Sequence, residues 1–265
     1  DYNAPNLPMM RDIDHPAMVK HGMGWGAITG ILAAELAADG FTGVPSLLGI
    51  EKYAGWVSTI GKDYLMVDGV SFKRFASCLW GHPAFQATTK LMDAHQIKIP
   101  DIESIKINGF HEMIRLFSKL PETEEEAGFS VKWPLAALML DGEVGPEQML
   151  KKRFNDPQII DLVQKIELVE TDQMNQLHES TRYPCEVFIT LKGKNQVLSS
   201  GIEFYCNGDP SEPFGDIWDA DEVKEKFSRI CRSVIRKSTI ENCLKTVEDL
   251  DNLETIDPLI HLLSE

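Results

Sequence analysis

The segment FKRFASCLWGH, residues 72–82, brings together side chains that hold anions or move protons. Lys73 and Arg74 form one of the few basic clusters free of nearby acids, which fits a pocket for a small anion or a solvated basic pair. Cys78 has two readings, a thiol made reactive by a lowered pKa or a small buried hydrophobe. His82 stands directly before Pro83 at a helix start, where it serves as a proton-transfer group or as a capping residue. Farther upstream, Gly22, Gly24 and Gly26 alternate around Met23 and Trp25. Backbone N–H groups at such a helix start cradle anions, although close packing explains the glycines equally well. Trp25 reads as a pocket wall or as a helix-packing residue.

The rest of the chain narrows the partners. A formal charge of −15, from 26 basic and 41 acidic residues, sets an averaged field that repels nucleic acid and anionic membrane surfaces, so neither is an expected partner. The longest apolar run, Ala27 to Ala38, is broken by Thr29, Gly30 and Glu35 and is too short for a membrane span, so the chain reads as soluble. The five cysteines, Cys78, Cys185, Cys206, Cys231 and Cys243, are widely spaced and show neither CxxC nor zinc-ligand spacing. Neither structural disulfides nor a metal is expected. With no Asn-x-Ser/Thr sequon, the expectation is a cytoplasmic protein; a mitochondrial placement stays open, since a targeting segment would lie ahead of Asp1. Dinucleotide, P-loop, GxSxG and HExxH signatures are absent.

The elements that must position these residues are legible in outline. At 265 residues and 43% hydrophobic content, the chain can bury one large domain or two smaller ones. The opening to Pro16 reads as an irregular arm, and Ala27–Ala38 as an Ala-rich helix closed by Gly40. Pro83 opens a helix to about His95; IESIKI is a strand; Asp156 and Pro157 start another helix as N-cap and first residue. Cys185, Val187, Ile189 and Leu191 alternate with Glu186, Phe188 and Thr190 as a two-faced strand, and VLSSGIEFY supplies its hairpin partner. Asp219 and Glu222 are spaced as a capping box before the stripe Val223, Phe227, Ile230, Val234. Helical ends around an α/β middle give an α+β fold in which a discontinuous all-helical domain, residues 1–68 and 213–265, is interrupted by an α/β lid, residues 69–212.

Four segments in order, HGMGWGAITGILAAELAADGFTG, FKRFASCLWGHPAFQA, EEEAGFSVKWPLAALMLDGEV and GDPSEPFGDIWDADEVKEKF, resemble the C-terminal part of the MmgE/PrpD family of 2-methylcitrate dehydratase and cis-aconitate decarboxylase. The resemblance covers nearly the whole chain and implies the same architecture, a helical domain built from both chain ends around a smaller lid. It also implies a lyase that dehydrates or decarboxylates a small carboxylic or hydroxy acid by acid/base proton transfer, without metal or organic cofactor. Family chains are much longer, and the resemblance begins near the middle of such a chain. A second chain carrying the N-terminal half is therefore an expected partner, with such units pairing into a higher dimer.

By the same resemblance, Lys73 matches an active-site lysine of the decarboxylases, Cys78 a position held by a catalytic histidine or a cysteine, and His82 a common histidine. These three are the expected catalytic residues, with Arg74, Trp25, Ile28 and Trp133 in substrate binding. Two departures stand out. Ile28 occupies a position where some decarboxylases carry lysine, and Trp133 one where they carry tyrosine. If both face the pocket, the substrate is less anionic than a tricarboxylate; if both are core residues, they say nothing about it. Two further functions stay open, an isomerase, epimerase or cyclase acting on a less polar metabolite, and a non-catalytic subunit of a split enzyme.

Overall fold

The computed structural model describes residues 14–18, 23–63, 72–179, 182–193, 196–206, 208 and 218–264. Among these, seven helices reach eight residues: α1 (Met23–Ala38), α2 (His82–His95), α3 (Lys132–Asp141), α4 (Pro157–Lys165), α5 (Ala220–Cys231), α6 (Lys237–Glu248) and α7 (Asp257–Ser264). Four strands, β1 (Ile102–Gly109), β2 (Ile166–Glu170), β3 (Cys185–Leu191) and β4 (Gln196–Glu203), form one sheet in the order β2-β1-β3-β4. The fold is α+β.

Local chemistry accounts for these boundaries. The Asp156 side chain accepts the Gln158 amide at 3.0 Å, and Pro157 follows at the first helical position, where its missing N–H costs nothing. In β3, Cys185, Val187, Ile189 and Leu191 are buried while the residues between them are only half-buried, the period expected of a strand with one face on the core. β3 turns back on β4 through Gly193, whose φ of +69° suits a residue without Cβ. β1 pairs antiparallel with β3 and parallel with β2, and the α3–α4 region supplies the crossover that a parallel pair requires.

α2 packs on β3 and β4, while α4 packs on α3 and on β1 and β2. The buried cluster runs in sequence from Phe75 to Cys206 and includes Phe85, Ile105, Ile107, Trp133, Leu135, Ile159 and Ile189, all with 0% exposure. Each such side chain contributes about 1.5–3 kcal/mol on leaving water. The flanks differ: no described side chain of residues 23–63 is buried. α1 does end as its sequence implies: Gly40 takes φ +88°, and the Phe41 amide returns to Leu36 O at 2.9 Å.

Candidate active site

Residues 72–78 form an irregular, bent segment whose backbone is tied to three distant places. The Phe72 amide donates to Gly208 O at 3.0 Å, that of Ala76 to Val144 O at 2.9 Å, and that of Cys78 to Gly128 O at 2.8 Å. Gly208 is required here: its φ is +96°, and a Cβ would fall 2.2 Å from Phe72 O. The segment then passes through a short turn into α2, with Pro83 in its first turn. Lys73 and Arg74 are exposed and Cys78 is half-buried.

His82 lies at the end of this run and is fully buried. Its ring meets Phe75 edge-on at 5.2 Å between centroids and Phe85 at 5.7 Å. Nε2 sits 3.3 Å from Ser77 Oγ, and Nδ1 has no hydrogen-bond partner. Burial, reinforced by the positive charge of Lys73, pushes its pKa down to about 3, so the ring is neutral across the physiological range. A neutral, enclosed imidazole bonded to a serine hydroxyl positions its neighbours; to exchange protons with a ligand it needs an opening that this arrangement lacks.

α5 closes the other side of the site. Asp219 accepts the Asp221 and Glu222 amides, both at 2.9 Å, and Glu222 returns a carboxylate to the Asp219 amide, the reciprocal cap expected from the spacing. That start aims one helix face at the segment. Lys226 Nζ donates to the Lys73 carbonyl, and Arg229 Nη2 donates to the Arg74 carbonyl at 3.4 Å. Trp218 stacks on Phe72, with ring planes 2° apart. Between α5, α2 and the segment lies a cleft of about 460 Å³ whose wall includes Arg74, Lys90, Glu143, Trp218, Lys226 and Arg229. Burial, with Lys73 and Arg229 nearby, lowers the Lys226 pKa.

Of the residues expected in the site, Lys73, Arg74 and Cys78 lie on one short segment and His82 opens α2; Arg74 is on the cleft wall, whereas Lys73, Cys78 and His82 do not line it. The structure does not bring Ile28 or Trp133 there. Ile28 is 51% exposed on α1. Trp133 is fully enclosed at the start of α3, where its indole N–H donates to Gln148 O at 3.0 Å and its ring meets Phe154 edge-on. A satisfied, enclosed indole is a core residue, which removes its bearing on substrate polarity. The Trp25 side chain and Gly22 lie outside the described residues. Lys226, Arg229 and Trp218 were missed as site residues. Their sequence signal was the capping box, which sets where α5 begins and hence which of its residues share a face.

A second groove, of about 690 Å³, opens where α5, α6 and α7 diverge, lined by Val223, Phe227, Leu244, Val247, Leu259 and Leu263 among others. Among the described residues, no group of His, Cys, Asp and Glu side chains is disposed to hold a metal, and no helix is long and apolar enough to cross a membrane.

Comparison with known proteins places this geometry. The family model for the MmgE/PrpD C-terminal domain matches residues 75–252. Human cis-aconitate decarboxylase is 28% identical over 252 residues, which cover 88% of this chain and 50% of that protein. The mouse cis-aconitate decarboxylase is 26% identical over 167 residues, covering 63% of this chain and 30% of its own length. The chain thus spans half or less of the curated relatives it matches.

Proposed function

Since the chain belongs to the MmgE/PrpD family, we propose that it is the C-terminal part of a cofactor-independent lyase, a dehydratase or decarboxylase of a small carboxylic or hydroxy acid. The observation that carries this reading is the tethered segment that bears Lys73, Arg74 and the half-buried Cys78 and that lines a cleft of about 460 Å³ through Arg74 and Phe75. Lys73 and Arg74 hold a substrate carboxylate, and Cys78 moves the proton that accompanies loss of water or carbon dioxide. His82, neutral and enclosed, holds Ser77 and the turn that follows Cys78. The likeness to cis-aconitate decarboxylases supports the substrate class, and the enclosure of Trp133 removes one of the two residues that pointed to a less polar metabolite.

The reading includes a second chain. α1 leaves Ile28, Ile31, Leu32 and Leu36 about half exposed or more, and the groove between α5, α6 and α7 is open and apolar. A polypeptide carrying the N-terminal half of the family fold covers both, and the resulting units pair in a higher dimer in the cytoplasm. An interface of that kind buries roughly 2,000 Å² or more.

The test is co-expression of this chain with a separate N-terminal half from a family member, followed by turnover of small di- and tricarboxylates. The Lys73→Ala variant is expected to lose about 10²–10⁴-fold in kcat/KM. Full activity in Lys73→Ala would instead make this chain a stabilising subunit without a chemical role.

A further inference from the structure

Two lysines on the same helix have opposite surroundings. Lys224 is ion-paired with Glu248 and, at 3.4 Å, with Asp221, and these partners raise its pKa. Lys226 points to the other side. It donates to the Lys73 carbonyl and lies 5.6 Å from the centroid of the Trp218 ring, and among the described residues no carboxylate lies within ion-pair distance of it. The cleft wall carries four acids, Asp93, Glu143, Glu222 and Glu225, beside Arg74, Lys90, Lys226 and Arg229, and none of these acids pairs with Lys226. Glu143 takes Arg229 at 3.4 Å and Arg232 at 3.0 Å, and Glu222 takes the Asp219 amide.

Lys226 and Arg229 are three residues apart and so share a helix face, and both reach the backbone of Lys73 and Arg74. The segment's own cations therefore meet two more from α5. Concentrating like charge at a half-buried place costs free energy, and burial together with the nearby charges of Lys73 and Arg229 lowers the Lys226 pKa, in a chain that otherwise carries a charge of −15. A bound anion offsets that cost. An ammonium has three donors and the Lys73 carbonyl takes one, so Lys226 keeps donors for a ligand.

We propose that Lys226 is a substrate-binding residue, which together with Arg229 and Arg74 makes the cleft a seat for a carboxylate group of the substrate. The assignment rests on the lyase reading above and adds a binding group from the C-terminal helices, a region assigned no part in the site by the sequence. It also means that substrate affinity depends on the seating of α5.

The experiment uses the full 265-residue chain with its lysines carrying ¹³C-dimethyl labels, which keep their charge, titrated with tricarballylate and separately with inorganic phosphate. The Lys226 resonance is expected to move saturably with tricarballylate, and Lys226→Met to raise the apparent Kd about tenfold, with Lys226→Arg close to the parent. Lys224→Met, on the far side of α5, leaves binding unchanged. If Lys226→Met fails to fold by its melting profile, Arg229→Gln gives the same reading through a lesser loss of affinity. An unmoved Lys226 signal, an absence of saturable binding, or phosphate binding equal to tricarballylate would each overturn the assignment. Retained turnover in the co-expressed Lys226→Met enzyme at unchanged KM would also overturn it, leaving the lyase reading intact. Absent turnover with intact tricarballylate binding would do the reverse.

Discussion

α1 and α3 offer their surroundings the same kind of surface and receive opposite treatment. Both are apolar nearly all the way round: Glu35 is the one charged residue in α1, and charges in α3 stand only at its ends, Lys132 and Asp141. A helix of that type is a core element. α3 behaves as one, burying Trp133, Leu135, Ala136, Ala137 and Leu138, and it packs on α4 and α2. α1 leaves Ile31 64% exposed, and a Cβ added at Gly24, Gly26 or Gly30 would meet nothing within 4 Å. The two helices were written for equal burial, and among the described residues only α3 has its cover.

The comparison can be broken most easily at its strong end. Trp133→Ala removes a fully buried indole and its hydrogen bond, with an expected loss of about 3–5 kcal/mol in urea unfolding. Ile31→Ala on α1 should change stability by less than about 0.5 kcal/mol in the isolated chain, because an exposed side chain has little burial to lose. A large Ile31 effect would mean that α1 is packed after all.

The acid response separates the covered core from the flanks next. Between the ordinary histidine value of 6.5 and about 3, the unfolded chain takes a proton that folded His82 refuses. Stability therefore falls as pH falls through that window, by about 2 kcal/mol between neutral pH and pH 5. His82→Gln should remove this part of the slope, as judged by urea midpoints at the two pH values. An unchanged slope would place the titration elsewhere.

At the uncovered C-terminal helices, Asp219→Ala deletes both side-chain cap bonds of α5 and should cost about 1 kcal/mol. Hydrogen exchange of the first-turn amides of α5 is the sensitive readout, with faster exchange expected there than in α3. A small effect on α1 is the most diagnostic. Gly30→Ala should stabilise the chain alone by about 0.5–1 kcal/mol through helix propensity. The sign should reverse in the co-expressed enzyme if α1 packs closely against the N-terminal half, as measured by melting of both forms.

What the sequence revealed follows the range of the interaction behind each feature. The Asp156 and Asp219 caps, the Gly40 stop and the alternation of β3 are settled within a few residues, and all were legible. The segment carrying Lys73, Cys78 and His82 was legible through its family likeness. The burial of Trp133 was not, because an apolar residue in an apolar stretch gives no sign of whether it faces a pocket or the core. Nor was the arrival of Lys226 and Arg229, whose bonds to the Lys73 and Arg74 carbonyls span 153 and 155 residues. Such closures depend on everything folded between them.

Those spans also set an order in time. A hairpin such as β3–β4 closes on the microsecond scale from neighbouring residues, whereas a contact across most of the chain waits until the intervening loop has been shortened by structure already formed. The sheet and the core helices are therefore expected to assemble first, with the Lys73 segment and α5 locking last. The expectation is a stage in folding at which the chain has its scaffold but not its cleft. Recovery of far-ultraviolet circular dichroism should precede recovery of the Trp218 fluorescence environment during refolding, and the interval between them is the time this protein takes to become competent after it has become folded.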